Sequence, residues 1–268
     1  MDRFLNKITC GDNCDLLGLL PRECIDLVVT SPPYDDLRTY GGHTWDFYGV
    51  AWQLKRVLKP GGVIVWVVAD ATKDGTESGT SMEQALFFKR LGLNLHDTMI
   101  YSKGAQGGAK GSNYCYTQSF EYMFVFSKGK PNAINLIADR KNTEYVGESV
   151  KKSTMRKAGG NMVAFEAKTN EVGKRTNVWE IRGGFMVSSA DTYSFEHPAT
   201  FPESLPKDHI LSWSNVGDIV LDPFSGSGTT AKAAKELERQ YIGFEINPAY
   251  CNIGEARTAQ EVLSFATV

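Results

Sequence analysis

Six consecutive apolar residues, from Val63 to Val68, constrain the fold more than any other feature of the sequence. The run has no polar alternation, which is typical of a strand that is buried on both faces of its sheet. A sheet with such a strand needs helices on both sides. This requirement favours an α/β architecture over an all-β or an all-helical one.

Strand-like and helix-like segments alternate along the rest of the chain. Helical spacing of apolar residues predicts helices over residues 45–58, 81–91 and 229–239. Short apolar segments predict further strands over residues 25–30, 95–101, 122–126, 218–221 and 241–245. Helices that connect buried strands indicate right-handed crossovers. We therefore expect an α/β fold with a doubly wound, mostly parallel, Rossmann-like sheet.

Composition excludes several other classes of protein. Hydrophobic residues make up 42% of the chain and charged residues 22%, which is close to the average for globular proteins and argues against disorder or a fibre. The longest apolar run is far shorter than the roughly 20 residues of a membrane-spanning helix, and no signal peptide is recognisable. The cysteines are scattered without metal-ligand spacing, so we expect reduced thiols, a cytoplasmic location and no metal site.

The net charge of −2 conceals a basic segment in the middle of the chain. Residues 140–182 contain ten Lys and Arg against five Glu, with few large apolar side chains. Charge alone leaves two interpretations open: a solvated surface insertion, or an arm that contacts nucleic-acid phosphates. We predict that residues 1–130 and 191–268 form the two halves of one domain, and that residues 131–190 are inserted between them.

A glycine-containing loop, Asp222-Pro223-Phe224-Ser225-Gly226-Ser227-Gly228-Thr229-Thr230, joins a predicted strand to a predicted helix. Glycine lets the backbone approach a ligand closely, and the start of a helix offers unpaired N–H groups to an anion. Glu245, at the end of the next strand, suits the hydroxyls of a ribose. The loop has no Lys of the phosphate-binding kind. S-adenosylmethionine, a nicotinamide or flavin dinucleotide, and a plain strand-to-helix turn all remain open from these residues.

A second loop, Thr30-Ser31-Pro32-Pro33-Tyr34, follows the predicted strand over residues 25–30. The two prolines fix the backbone and remove two N–H donors, so that the carbonyls of Ser31 and Pro32 can serve as rigid acceptors. Tyr34 adds an aromatic face beside them. Such a loop suits the amino group of a flat heterocycle, although a rigid turn that ends a strand has the same residues.

Taken together, these loops resemble a known family. Thr30–Tyr34 resembles the catalytic motif of the DNA amino-methyltransferases, and Asp222–Thr230 resembles their S-adenosylmethionine loop. Further similarity lies at 11–12, 197–203 and 244–247, so that the resemblance covers about residues 7–130 and 190–257. The catalytic motif precedes the cofactor loop, as in the β class. The resemblance implies a Rossmann-like methyltransferase sheet with this permuted motif order.

The resemblance also implies roles for individual residues. Ser31 and the Pro32 carbonyl would accept hydrogen bonds from the target amino group, Pro33 would keep the loop rigid, and Tyr34 would stack on a base flipped out of the duplex. Positioning, rather than a covalent nucleophile, would supply most of the rate acceleration. Ser at position 31 is more frequent in cytosine-N4 enzymes and Asp in adenine-N6 enzymes, and the target base stays open.

The cofactor implied by the resemblance is S-adenosylmethionine. Glu245 would bind its ribose, and Asp12 would face its adenine, although Asp12 could instead cap the helix that starts nearby. The implied cofactor-binding residues are Asp12, Phe201, Pro202, Glu203, Asp222, Pro223, Phe224, Gly226, Ser227, Gly228, Thr229, Glu245 and Asn247.

The basic insert would be the target-recognition region, which contacts double-stranded DNA through the phosphate-binding side chains Lys151, Lys152, Arg156 and Lys157. We expect a site-specific DNA methylase of the kind found in restriction-modification systems, without a fused nuclease; dimers are common in this class. Two alternatives are weighed against it. Methylation of RNA or of a protein amide is disfavoured by the motif order, and a non-catalytic binding module is disfavoured by the intact motifs.

Overall fold

In a computed structural model of the chain, the described residues are 1–34, 45–104, 116–142, 149–168, 170–181 and 202–259. Their strands are β1 Lys7–Cys10, β2 Ile25–Thr30, β3 Leu58–Val68, β4 Thr72–Lys73, β5 Thr76–Glu77, β6 Asn94–Ser102, β7 Phe120–Ser127, β8 Arg140–Lys141, β9 Ser149–Arg156, β10 Met162–Lys168, β11 Val172–Gly173, β12 Val178–Glu180, β13 Ile219–Asp222 and β14 Gln240–Glu245. Their helices are α1 Asn13–Gly18, α2 Phe47–Val57, α3 Thr80–Arg90, α4 Ser204–Trp213, α5 Thr229–Glu236 and α6 Pro248–Ala259.

The main sheet has the strand order β1-β14-β13-β2-β3-β7-β6-β12. The first five strands in this order are parallel to one another, whereas β7 runs antiparallel to β3 and to β6. β12 is parallel to β6. The predicted α/β fold with a mostly parallel sheet is confirmed, and β7 is the reversed strand within it.

Helices cover both faces of this sheet, as the apolar run in β3 requires. Each residue from Val63 to Val68 is at most 1% exposed. On one face, Leu54 of α2 and Phe88 of α3 belong to the same buried cluster as Trp66. On the other face, Ile210 of α4 and Ala234 of α5 share a cluster with the neighbouring valines of β3. Alternate residues of β3 therefore contribute to two separate cores.

The predicted helices form with small shifts at their ends. The helix predicted over 229–239 ends at Glu236, because Glu238 adopts a positive φ of 61° and the chain then turns into β14. Among the elements that were not predicted are β1, β12, α4 and α6. The first two are short, and α4 begins at Ser204 without a side-chain cap that could have marked its start.

The chain divides into two compact units, Met1–Asn135 with Asn177–Val268, and Leu136–Thr176. The first contains the main sheet. In the second, β9 and β10 form an antiparallel hairpin, and β8 pairs with β11. The domain bounds inferred from the sequence, 1–130, 131–190 and 191–268, stay a prediction. Within the described residues, no helix combines the length and the apolar character needed to cross a membrane.

Candidate active site

The parallel strands β1, β14, β13, β2 and β3 end at one edge of the sheet, which is the edge where open α/β sheets bind ligands. Because β7 runs antiparallel, it begins at this edge: Tyr122 pairs with Val68, the last residue of β3. The loop after β2, the loop after β13 and the start of β7 therefore come from the same side of the sheet. Both loops singled out in the sequence lie there.

Asp222, the last residue of β13, connects the beginnings of the two loops. Its Oδ1 atom accepts a hydrogen bond from the Thr30 hydroxyl at 2.6 Å and another from the Phe224 N–H at 3.0 Å. Thr30 is the last residue of β2, so this contact joins the two strand ends from which the loops leave. The Asp222 side chain is only 2% exposed. Its hydrogen bonds therefore stabilise the loops from the interior.

Burial also changes the acidity of this side chain. Desolvation raises the pKa of the Asp222 carboxyl from its ordinary 3.8 to about 6, although hydrogen bonds from Thr30, Phe224 and Thr230 act in the opposite direction. The folded protein therefore holds this proton at pH values where the unfolded chain has released it. The contribution of the protonated Asp222 side chain to the free energy of unfolding is therefore fully present below the unfolded pKa. It is lost as the pH rises through the folded pKa.

We expect Asp222→Asn to remove this dependence on pH. In the wild-type protein, the free energy of unfolding should fall by about 3 kcal/mol as the pH rises from the unfolded to the folded pKa of Asp222, since one pKa unit corresponds to about 1.4 kcal/mol. The variant should lack this decrease, because an amide does not titrate. Urea unfolding at a series of pH values measures both curves, and curves of identical shape would contradict the assignment.

The turn after Asp222 depends on two glycines with positive φ, Gly226 at 50° and Gly228 at 78°. The Gly228 N–H donates to the Ser225 carbonyl at 2.8 Å, and α5 begins at the next residue. Phe224 packs edge-on against Trp45, with ring centroids 4.9 Å apart. The loop is thus a tight strand-to-helix turn whose apolar side chain is held by neighbouring aromatic rings.

Arg257 of α6 stabilises this turn through hydrogen bonds. Its Nη1 atom donates to the Ser227 carbonyl at 2.7 Å and to the Thr229 hydroxyl at 3.1 Å, and its Nη2 atom donates to Glu203 at 2.9 Å. Arg257 is 1% exposed. Lys232 of α5 also donates to Glu203, at 2.9 Å. Glu203, inferred from the resemblance to line the cofactor pocket, is thus the common acceptor of two cations that support the turn.

Glu245, at the end of β14, joins the turn to the next loop. Its Oε2 atom accepts from the Gly226 N–H at 2.9 Å, and its Oε1 atom accepts from the Asn247 N–H at 2.8 Å. The Asn247 side chain in turn accepts from the Ala249 N–H at the start of α6. These bonds fix the orientation of the partly exposed Glu245 carboxylate beside the glycine turn.

Asp12 caps α1, the role that the sequence left open for it. Its carboxylate accepts from the Cys14 N–H at 2.8 Å and from the Asp15 N–H at 3.2 Å. The adjacent Asn13 side chain donates to the Pro223 carbonyl at 3.2 Å, which ties this loop to the glycine turn. A contact between Asp12 and an adenine ring stays a prediction.

The Pro-Pro-Tyr loop contains a chain of hydrogen bonds that ends on β7. The hydroxyls of Ser31 and Tyr34 lie 2.7 Å apart, and the Tyr34 hydroxyl donates to Glu121 Oε2 at 2.9 Å. Glu121 also forms an ion pair with Lys103. Pro32 is buried and Pro33 is partly exposed. The chain Ser31–Tyr34–Glu121–Lys103 therefore places a carboxylate behind the tyrosine of the motif.

Some predicted site residues, or their side chains, lie outside the part of the chain that the structure describes. Phe201 is not among the described residues, whereas Pro202 is buried and precedes α4. Lys151, Lys152 and Arg156 have only their backbone described, in β9 of the hairpin. Lys157 is exposed in the turn between β9 and β10, where its N–H donates to the Asn161 carbonyl. Their contacts with phosphates stay predictions.

Arg257 and Glu121 were missed in the sequence. Arg257 has no local sequence signal, since its partners Ser227, Thr229 and Glu203 lie between 28 and 54 residues earlier in the chain. Glu121 stands in an apolar strand, Phe120–Ser127, as its single acid. A lone charge inside an apolar strand is a usable signal, because buried charges are costly unless they are paired.

Three comparisons with known proteins bear on this site. A family model described as "DNA methylase" matches residues 25–256. The orphan methyltransferase M.BamHII of Bacillus amyloliquefaciens is 53% identical over 241 residues, which cover 89% of this chain and 90% of that protein. The Type II methyltransferase M.BglII of Bacillus subtilis is 31% identical, over 94% of this chain and 68% of that protein.

Among solved structures, the cytosine-N4-specific PvuII DNA methyltransferase is similar with a TM-score of 0.65 and 22% identity. The likeness covers 96% of this chain and 87% of that one. At this level of identity, the likeness establishes a shared fold and leaves the choice of base to other observations.

Proposed function

Because this chain belongs to the DNA methylase family, we propose that the two loops at the carboxyl edge of its sheet form one active site. The chain is a site-specific DNA methyltransferase that uses S-adenosylmethionine and modifies an exocyclic amino group, adenine N6 or cytosine N4. The observation that carries the proposal is the 2.6 Å hydrogen bond from Thr30 to Asp222, because it joins the two strand ends that lead into the loops.

The loop after β2 holds the target base. Ser31 Oγ and the Pro32 carbonyl accept the hydrogens of the amino group, Pro33 keeps the loop rigid, and Tyr34 stacks on the flipped base, whose extrusion costs a few kcal/mol. An amino nitrogen conjugated with its ring is a weak nucleophile. Two acceptors that hold its hydrogens favour a tetrahedral nitrogen whose lone pair points at the methyl group.

The loops after β13 and β14 hold the cofactor, and their chemistry suits it. Gly226 and Gly228 present no side chain, the first N–H groups of α5 could donate to an anion such as an amino-acid carboxylate, and the Glu245 carboxylate suits ribose hydroxyls. When bound, S-adenosylmethionine supplies a methyl group on its sulfonium. The remaining cofactor-binding residues of the proposal are Asp12, Phe201, Pro202, Glu203, Asp222, Pro223, Phe224, Ser227, Thr229 and Asn247.

Two substitutions separate the two halves of the site. Ser31→Ala should lower kcat by about a hundredfold and leave the Kd for S-adenosylmethionine unchanged, because in the proposed site Ser31 contacts the base and not the cofactor. Glu245→Gln should raise that Kd at least about tenfold, because it removes the charge that accepts from the ribose. Calorimetric titration measures the Kd, and transfer of labelled methyl groups to duplex DNA measures kcat.

The control is thermal unfolding of both variants, which should remain cooperative. If Ser31→Ala weakened cofactor binding as much as it weakened transfer, the division of roles between the loops would be wrong. The same conclusion would follow if Glu245→Gln left the Kd for S-adenosylmethionine at the wild-type value.

We propose that the unit Leu136–Thr176 carries the contacts to double-stranded DNA. Its hairpin β9–β10 turns through Gly159 and Gly160, whose φ angles are 100° and 88°, and Lys157 is exposed at this turn. Lysine and arginine side chains on such a hairpin attract phosphates regardless of sequence. The proposed phosphate contacts are Lys151, Lys152, Arg156 and Lys157.

We also propose that the protein acts as a homodimer in the cytoplasm. Large apolar side chains are exposed on two neighbouring helices, Tyr48 and Trp52 on α2 and Met82 and Leu86 on α3, each between 46% and 59% exposed. Clustered apolar side chains on a surface are typical of protein interfaces. Sedimentation velocity gives the mass in solution, and a monomer at micromolar concentration would overturn the dimer.

A further inference from the structure

The hydrogen-bond chain behind the Pro-Pro-Tyr loop has a defined direction. Glu121 is 9% exposed and forms an ion pair with Lys103, so its carboxylate acts as an acceptor. The Tyr34 hydroxyl has one proton and donates it to Glu121 at 2.9 Å. In the 2.7 Å contact between Tyr34 and Ser31, the tyrosine oxygen is therefore the acceptor and the serine hydroxyl is the donor.

From this direction we infer that Glu121 is a positioning residue for the methyl transfer. It acts through Tyr34 and orients the Ser31 hydroxyl so that Ser31 offers only hydrogen-bond acceptors to the target base. The inference rests on the proposed function, in which Ser31 Oγ receives a hydrogen of the target amino group. A hydroxyl that is free to rotate can present either its proton or its lone pairs. With its proton committed to Tyr34, Ser31 presents only lone pairs to the base.

The chain also strengthens Ser31 as an acceptor. A serine hydroxyl is neutral and accepts more weakly than a carboxylate at the same position would. Successive hydrogen bonds in one direction polarise one another, so the negative charge on Glu121 raises the electron density on Tyr34 Oη and then on Ser31 Oγ. The ion pair with Lys103 holds the Glu121 side chain in place. The arrangement gives Ser31 part of the character of a carboxylate without placing one beside the base.

A double-mutant cycle tests this role. Glu121→Gln keeps the size of the side chain but removes its charge, and it should lower kcat about tenfold while the Kd values for S-adenosylmethionine and for duplex DNA change less than twofold. In a Ser31→Ala background the same substitution should lower kcat less than twofold, because no hydroxyl remains to be oriented. The matched control is Glu23→Gln, which removes a carboxylate paired with Lys128 away from this loop and should leave kcat unchanged.

A second cycle covers the case in which Ser31→Ala is too slow to measure. Tyr34→Phe keeps the ring and removes the hydroxyl, so Glu121→Gln should cause no further decrease in kcat in the Tyr34→Phe background. Equal fractional losses in the wild-type and variant backgrounds would overturn the inference, as would an unchanged kcat for Glu121→Gln. Failure of the wild-type protein itself to methylate DNA would instead overturn the proposed function.

Discussion

Gly228→Ala is expected to lower the free energy of unfolding by about 3 kcal/mol and to weaken binding of S-adenosylmethionine strongly. Gly228 has a φ of 78°, and a Cβ atom there would lie 2.9 Å from the Gly254 Cα and 2.9 Å from Ile8 Cδ1. The left-handed backbone costs an alanine about 1–2 kcal/mol, and forcing a methyl group into a packed interior adds about 1–3 kcal/mol. Since the Gly254 backbone cannot yield as a flexible side chain would, the turn and the start of α5 must shift.

A second glycine provides the matched control. Gly217 has a nearly identical φ of 85°, but nothing lies within 4 Å of the position of a Cβ atom. Gly217→Ala should therefore lower the free energy of unfolding only by the cost of the left-handed backbone, about 1 kcal/mol, and leave cofactor binding intact. Urea unfolding and calorimetric titration measure both quantities. Equal losses in the two variants would show that the contact with Gly254 has no energetic role.

Arg257→Met is expected to destabilise the protein by about 3 kcal/mol and to raise the Kd for S-adenosylmethionine at least about tenfold. The substitution keeps much of the volume of the side chain but removes its bonds to the Ser227 carbonyl, the Thr229 hydroxyl and Glu203. Removing one partner of a buried ion pair costs about 3–5 kcal/mol. We expect the lower end, because Lys232 still neutralises Glu203.

Lys207→Met is the control for loss of an ion pair alone. Lys207 pairs with Glu236 at a partly exposed position, with side-chain exposures of 35% and 23%. Such pairs contribute at most about 1 kcal/mol, so this variant should retain cofactor binding and nearly all of its stability. A Kd for S-adenosylmethionine that stays at the wild-type value in Arg257→Met would contradict the role of Arg257 in supporting the turn.

Local sequence signals were sufficient for much of the fold. The apolar run Val63–Val68 predicted a strand with both faces covered, and its residues are at most 1% exposed. Gly228 was expected at a sharp turn into a helix, and it has the positive φ that such a turn requires. Both predictions depend on intrinsic properties of neighbouring residues, namely apolar side chains and the conformational freedom of glycine, which can be taken directly from the sequence.

Features that depend on long-range packing could not be predicted in this way. An apolar segment such as Phe120–Ser127 does not reveal its direction in a sheet, so the sequence did not indicate that Glu121 would lie at the functional edge. Arg257 reaches the glycine turn only because α6 packs beside it. The motif residues were therefore recognisable as a set, while the residues that support them were found through their contacts.

Transfer of labelled methyl groups from S-adenosylmethionine to duplex DNA, followed by digestion to nucleosides and mass analysis, tests the central claim most directly. We expect the label in N6-methyladenine or N4-methylcytosine, because the proposed role of the loop with Ser31 and Tyr34 is to bind an exocyclic amino group. The same experiment identifies which of the two bases is modified. Label at carbon 5 of cytosine, or label absent from DNA of varied sequence, would contradict the account.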